Sequence, residues 1–134
     1  NISPAVNWKT VTKSDDVVVP RSQLPKLITG IKEIGKQYDF NTVCFGHLGD
    51  GNLHVNFLRE EISDHDWETK VPEGIGEVFK LVVSLGGTLS GEHGVGITKR
   101  PYMSIAMDEV NLNLMRGIKK VFDPNGILNP GKIF

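Results

Sequence analysis

Cysteine occurs once in this sequence, as Cys44, so no disulfide framework can form within the chain, a pattern that fits a reducing, cytoplasmic compartment. No apolar run approaches the ~20 residues that a membrane-spanning helix requires. Any membrane association is therefore expected to be peripheral, at an inner-membrane surface. Charge of neither sign dominates. A formal net charge of -1 excludes a polybasic surface for nucleic acid or anionic lipid. The chain opens Asn1-Ile2-Ser3-Pro4, neither a basic nor an apolar segment, so no signal peptide is expected. A start without Met reads as the start of a fragment, with parts of an active site upstream. Internal repeats and low-complexity linkers are absent. Residues 46–51 are glycine-rich, but no Gly-Lys-Ser/Thr follows and the loop feeds a strand, so a phosphate loop is excluded.

What is present suits one domain spanning residues 1–134. Hydrophobic residues make up 39% of the chain, enough for a packed core. Asp16-Val17-Val18-Val19 is β-branched and ends at Pro20, which predicts a short strand. Ser22 is a candidate cap for a helix whose apolar positions are Leu24, Leu27, Ile28, Ile31, Ile34 and Tyr38, with Pro25 in its first turn. Residues 42–46 and 53–58 read as strands, and residues 59–66 as a polar loop. A second helix after Pro72 carries Ile75, Val78, Phe79, Val82 and Leu85 and stops at Gly86-Gly87. Residues 88–90 read as another strand. Asp108 should cap a third helix with Val110, Leu114, Met115, Ile118, Val121 and Phe122 on one face, ended by Asp123-Pro124-Asn125-Gly126. Alternating strands and helices with a hairpin between them predict an α+β fold, an antiparallel sheet with helices on one face.

The four histidines are His47, His54, His65 and His93. Asp-Gly between strands is a two-residue hairpin signal. With Asp50-Gly51 at the turn centre, His47 faces His54 directly, with Cβ atoms roughly 4.5–5.5 Å apart. Two imidazoles so placed can converge on one metal at about 2.0–2.1 Å. Alternation adds Asn56 to the same face. A third ligand must come from elsewhere, and Glu92 or His93, bracketed by glycines, is the source. Two His and a carboxylate with open positions suit catalytic zinc or non-haem iron. The competing reading is that the pair merely packs. Asp50 reads as a turn residue and His65 as a solvated one. Lys99-Arg100 reads as a carboxylate clamp or a solvated pair. Cys44, on the hairpin face opposite His47, reads as buried and inert.

Four segments carry a resemblance. Gly46-His47-Leu48-Gly49-Asp50-Gly51-Asn52-Leu53-His54 resembles a signature of the C-terminal domain of FAD-linked oxidases. Gly86-Gly87-Thr88-Leu89-Ser90-Gly91-Glu92-His93-Gly94-Val95-Gly96 does so too. The same holds for Asp16-Val17-Val18-Val19-Pro20 and for Phe122-Asp123-Pro124-Asn125-Gly126-Ile127-Leu128-Asn129-Pro130-Gly131-Lys132. That family includes FAD-binding subunits of glycolate oxidase, D-lactate dehydrogenases and D-2-hydroxyglutarate dehydrogenases.

The resemblance implies a ferredoxin-like cap domain over the flavin of a separate N-terminal FAD-binding domain. It implies His47, His54 and Glu92 as ligands of a divalent ion, zinc or iron. It implies His93 as the base and Asn56 as a substrate contact; Lys99 is carried as a second candidate substrate contact. The implied reaction is oxidation of a D-2-hydroxyacid. The metal holds its oxygens, His93 takes the hydroxyl proton, and the α-hydride passes to flavin. Expected partners are the small 2-hydroxyacid, the FAD-binding domain and other oxidase subunits. The chain alone should be inactive, with an exposed apolar face where the flavin half would dock. Some relatives place a lysine where this chain has Ser14, with Lys13 one position away, so the substrate stays open. The rival class is a non-catalytic metal-binding or assembly module.

Overall fold

A computed structural model describes residues 12–134. Strand β1, Thr12–Val18, starts earlier than the β-branched run alone suggests and ends one residue before Val19. A 3-10 turn at Arg21–Gln23 leads into helix α1, Leu24–Tyr38. Ser22 lies within that turn and does not cap the helix; Pro25 does sit in its first turn. Strands β2, Asn41–His47, and β3, Asn52–Leu58, form the hairpin. Helix α2, Asp64–Glu68, replaces part of the expected loop because Ser63 accepts a hydrogen bond from the Asp66 N–H at 3.1 Å. Helix α3 is Lys70–Ser84, and a 3-10 turn at Arg100–Tyr102 precedes the short α4, Met103–Ala106. Helix α5, Glu109–Phe122, starts at Asp108, whose Oδ1 accepts from Asn111 N–H at 2.8 Å.

The sheet is antiparallel with order β1-β3-β2. Thr88 pairs with Val18 on the open side of β1, so the expected strand at 88–90 is reduced to one bridge. That bridge occupies the position of the fourth strand in a β-α-β-β-α-β, ferredoxin-like order. The α+β class read from the sequence stands.

Alternation divides the sheet's two faces. Val17, Leu53, Val55 and Phe57 point to one face and are buried against Leu27 and Ile31 of α1 and Val71, Ile75, Val78, Phe79 and Val82 of α3. Phe57 meets Phe40 edge to face at 5.3 Å. The opposite face carries Ser14, Asp16, His47, His54 and Asn56, and the 88–100 segment crosses it.

The hairpin register differs from the one expected. His47 pairs with Asn52, and His54 pairs with Phe45. The loop holds four residues, 48–51, rather than the central pair Asp50-Gly51. A two-residue type I′ turn needs left-handed backbone at both central positions, and of these only Gly51 adopts it, at φ +80. Gly51 is required there on a second ground: a Cβ would lie 2.1 Å from the Val19 carbonyl oxygen. Asp50 spends its carboxylate on the Asn52 N–H at 3.0 Å, the turn role expected of it. The partners shift by two positions, not one, so His47 and His54 remain on one face, as diagonal rather than opposite neighbours.

Helix α5 does not close the core. Leu112 is buried, whereas Val110, Leu114, Ile118, Val121 and Phe122 are exposed, Phe122 by 79%. No helix among the described residues is long and apolar enough to cross a membrane.

Because Phe57 is fully buried between the sheet and the helix layer, Phe57→Ala should cost about 3–5 kcal/mol, through lost burial and the cavity left behind. Denaturant unfolding followed by far-UV circular dichroism checks this. A loss under 1 kcal/mol (roughly the cost of a volume-conserving swap) would show that the core is not where the fold puts it.

Candidate metal centre and active site

The sheet's polar face gathers the residues singled out in the sequence. His47 ends β2 and is exposed; His54 lies in mid-β3 and is half-buried. Their rings are 5.8 Å apart at 78°. Glu92 comes from the segment crossing above, with Oε1 3.2 Å from His54 Nε2. Among the described residues, His47, His54 and Glu92 form a group whose ligand atoms all lie within 4.8 Å of one another. Ligands on a tetrahedral zinc stand roughly 3.4 Å apart, as follows from bonds of about 2.0–2.2 Å. The exposed His47 and Glu92 can close that gap by rotating their side chains, so two imidazoles and a carboxylate fit a divalent ion here.

His93 follows Glu92 and borders the cluster, its Nε2 3.8 Å from Glu92 Oε1. Its ring stacks on His54 at 5.2 Å and 28°, and its Nδ1 lies 3.6 Å from Asp16 Oδ1. Phe45, opposite His54 on β2, flanks the His54 imidazole at 5.3 Å. Asn56 is buried on the same face. Ser14, its partner across β1–β3, donates its hydroxyl to Asn56 Oδ1, and the Asn56 Nδ2 amide has no partner among the described residues. A buried donor so oriented suits an acceptor brought by a bound molecule.

Asp16 was read only as the start of a strand, yet it organises the site. Its carboxylate is fully buried in mid-β1. Oδ2 accepts from three successive backbone N–H groups, those of Gly91 at 2.7 Å, Glu92 at 2.6 Å and His93 at 3.0 Å. Oδ1 takes the Lys99 ammonium, which also donates to the Asp16 carbonyl at 2.8 Å. Burial alone would raise the Asp16 pKa. The Lys99 ammonium and the Glu92 and His93 amides outweigh it and hold the carboxyl well below the usual range. Its neighbour Asp15, 3.8 Å from Lys99, is pushed up by burial despite that cation. The available signal was an aspartate pair running straight into the apolar Val17-Val18-Val19, where a buried carboxylate must find a partner.

Lys99 is therefore not solvated: it is 3% exposed and meets the protein's own carboxylates. Arg100 instead reaches the Gly131 carbonyl at 3.1 Å from an exposed position. His65 is exposed on α2, as expected. Cys44 lies on the core side of β2, half-buried, and burial raises its thiol pKa, which keeps it protonated and unreactive.

An antiparallel α+β domain with a His/His/carboxylate cluster and an adjacent histidine on its open sheet face defines a class of site suited to a divalent ion. The chain belongs to the family described as FAD linked oxidases, C-terminal domain, whose profile matches residues 2–133. It is 38% identical to the glycolate oxidase subunit GlcD of Bacillus subtilis over 99% of this chain and 28% of that protein. It is 42% identical to a D-2-hydroxyglutarate dehydrogenase of Stutzerimonas stutzeri over 99% of this chain and 29% of the relative. A D-lactate dehydrogenase of Anaerostipes hadrus is 39% identical over 88% of this chain and 25% of the relative. The chain thus spans well under a third of the curated relatives it matches. The family is one of oxidoreductases.

The Asp16 environment gives stability a definite pH dependence. Its folded pKa lies below the ordinary value of 3.8, so its contribution is complete above that pH and is lost as pH falls towards the depressed value. Acid titration of unfolding free energy should fall steeply below pH 3.8 in the wild type and less steeply in Asp16→Asn. Equal slopes would remove Asp16 as the cause.

Proposed function

We propose that this chain is the substrate-side half of an FAD-dependent 2-hydroxyacid oxidoreductase of glycolate or D-lactate type. Its flavin is carried by a separate domain of the full-length protein. The observation that carries this reading is the convergence of His47, His54 and Glu92 within 4.8 Å beside a histidine that is not needed as a ligand. In this reading those three side chains hold a divalent ion, zinc or iron. Such an ion, when bound, supplies Lewis acidity that lowers the pKa of a substrate hydroxyl.

His93 is the base. The Asp16 carboxylate near Nδ1 favours the tautomer protonated on that nitrogen, leaving Nε2 free to accept the hydroxyl proton. Stacking on His54 keeps the ring over the site. Asn56 offers its unpartnered Nδ2 to a substrate oxygen, and Ser14 holds the amide in that orientation. Lys99 touches no open surface, so any influence on substrate passes through Asp16. The flavin domain, when present, would supply the hydride acceptor. The exposed stripe Val110, Leu114, Ile118, Val121 and Phe122 supports docking against the flavin half, since a free domain gains nothing by exposing it. Electron transfer onward is assigned to other oxidase subunits.

Zinc titration of the chain should reach one equivalent and be lost in His47→Ala, His54→Ala and Glu92→Ala, because a site of three protein ligands cannot spare one. His93→Ala should retain zinc. In the full-length protein the same variant should lower kcat by about 10²–10⁴, the usual range for a general base. The chain by itself should show no flavin absorbance near 450 nm (roughly the usual flavin region) and no turnover of glycolate, D-lactate or D-2-hydroxyglutarate. Zinc lost in His93→Ala but kept in Glu92→Ala would reverse the two assignments. No zinc binding at all would leave the histidines as packing residues.

A further inference from the structure

The segment carrying Glu92 and His93 has no regular structure of its own. Between Ser90 and Gly96 it forms neither helix nor strand, and residues 91–94 are exposed. Exposed glycine-rich backbone of this kind carries many conformations, yet the ligand set requires Glu92 beside His54 with His93 stacked on the same imidazole. Something must hold the segment in register, and the sheet itself provides it.

We propose that the buried Asp16–Lys99 pair is the positioning device of the metal site, and that it acts through the backbone of Gly91, Glu92 and His93. This rests on the reading of His47, His54 and Glu92 as ligands. Asp16 is paired with His54 across β1 and β3, so the anchor and one proposed ligand share a single rung of the sheet. From that rung Oδ2 gathers three consecutive amides within 3.0 Å. The segment is thereby fixed relative to His54 at the residue that supplies the carboxylate. Two further contacts close the turn: Gly94 N–H donates to Ser90 Oγ at 2.8 Å, and Ser90 Oγ lies 3.4 Å from both Asp16 oxygens.

Close approach to the sheet is sterically specific. A Cβ on Gly91 would stand 2.6 Å from Asn52 Oδ1 and 2.8 Å from Val18 Cγ2, so only glycine lets the backbone descend to the carboxylate. Lys99 completes the device from the far end of the segment. Its ammonium pairs the buried carboxylate that the three amides share, so no uncompensated charge is left beneath the loop. Residues 91–93 and residue 99 thus converge on one side chain, and the loop between them closes over it. Outer partners that orient metal ligands commonly affect metal affinity 10–100-fold on substitution.

The test combines hydrogen exchange with zinc titration. In the metal-free wild type, the amides of Gly91, Glu92 and His93 should exchange far more slowly than an exposed loop allows, and in Asp16→Asn that protection should vanish. Zinc affinity should fall about 10–100-fold in Asp16→Asn under conditions where far-UV circular dichroism shows the fold intact. His65→Ala, an exposed histidine outside the site, should leave it unchanged. If Asp16→Asn does not fold, Asp16→Asn/Lys99→Met removes the orphaned buried cation and should show the same loss of affinity. Open-loop exchange of the three amides in the wild type overturns the proposal without any variant. Wild-type zinc affinity retained in a folded Asp16 variant overturns it too. Failure of the wild type to bind zinc overturns the ligand reading itself and this inference with it.

Discussion

A carboxylate with no access to water, placed in the middle of a strand, is the constraint on which the site depends. Burying Asp16 is costly unless each oxygen is satisfied, and the chain satisfies them with three loop amides and one lysine. Those partners come from residues 91–99, far along the sequence from residue 16. The requirement to satisfy one buried charge therefore draws an otherwise irregular segment onto the sheet. Once there, the segment leaves its two reactive side chains, Glu92 and His93, exposed on top. Rigidity lies underneath and chemistry above.

The sheet makes this possible by keeping its faces distinct. Val17, Leu53, Val55 and Phe57 drive association with α1 and α3, and every alternate residue is thereby turned the other way. Ser14, Asp16, His54 and Asn56 stand side by side because β1 and β3 are directly paired there. The face turned from α1 and α3 is thus left to polar side chains and to the 88–100 segment that crosses it. Among the described residues, the exposed stripe on α5 is a large apolar surface that this economy leaves open.

Much of this was legible in the residues. Amphipathic spacing located the three long helices, and alternation put His47, His54 and Asn56 on one face. That last inference survived an error in register. Asp50-Gly51 suggested a tight two-residue turn, but Asp50 keeps an ordinary backbone and uses its side chain on Asn52, so the loop widens by two residues, both at the β2 end. A shift of two positions preserves the parity of side chains, whereas a shift of one would have scattered the histidines across both faces. Lys99 was harder. A lysine next to an arginine after a glycine-rich stretch looks solvated, and its burial depends on carboxylates far along the chain, above all Asp16, 83 positions away.

What the sequence by itself determined was therefore local and periodic: the helices, the strands, the α+β class, the sharing of a face by His47, His54 and Asn56, and the motifs that mark the family. These follow from hydrophobic spacing and the chemistry of glycine and aspartate at turns, which act over a few residues. Only the tertiary structure decided the register of the hairpin, the joining of Glu92 to the histidines, and the role of Asp16 and Lys99. Those depend on which distant groups meet when the core closes. A buried charge finds its partners by proximity in space, and no local pattern records that.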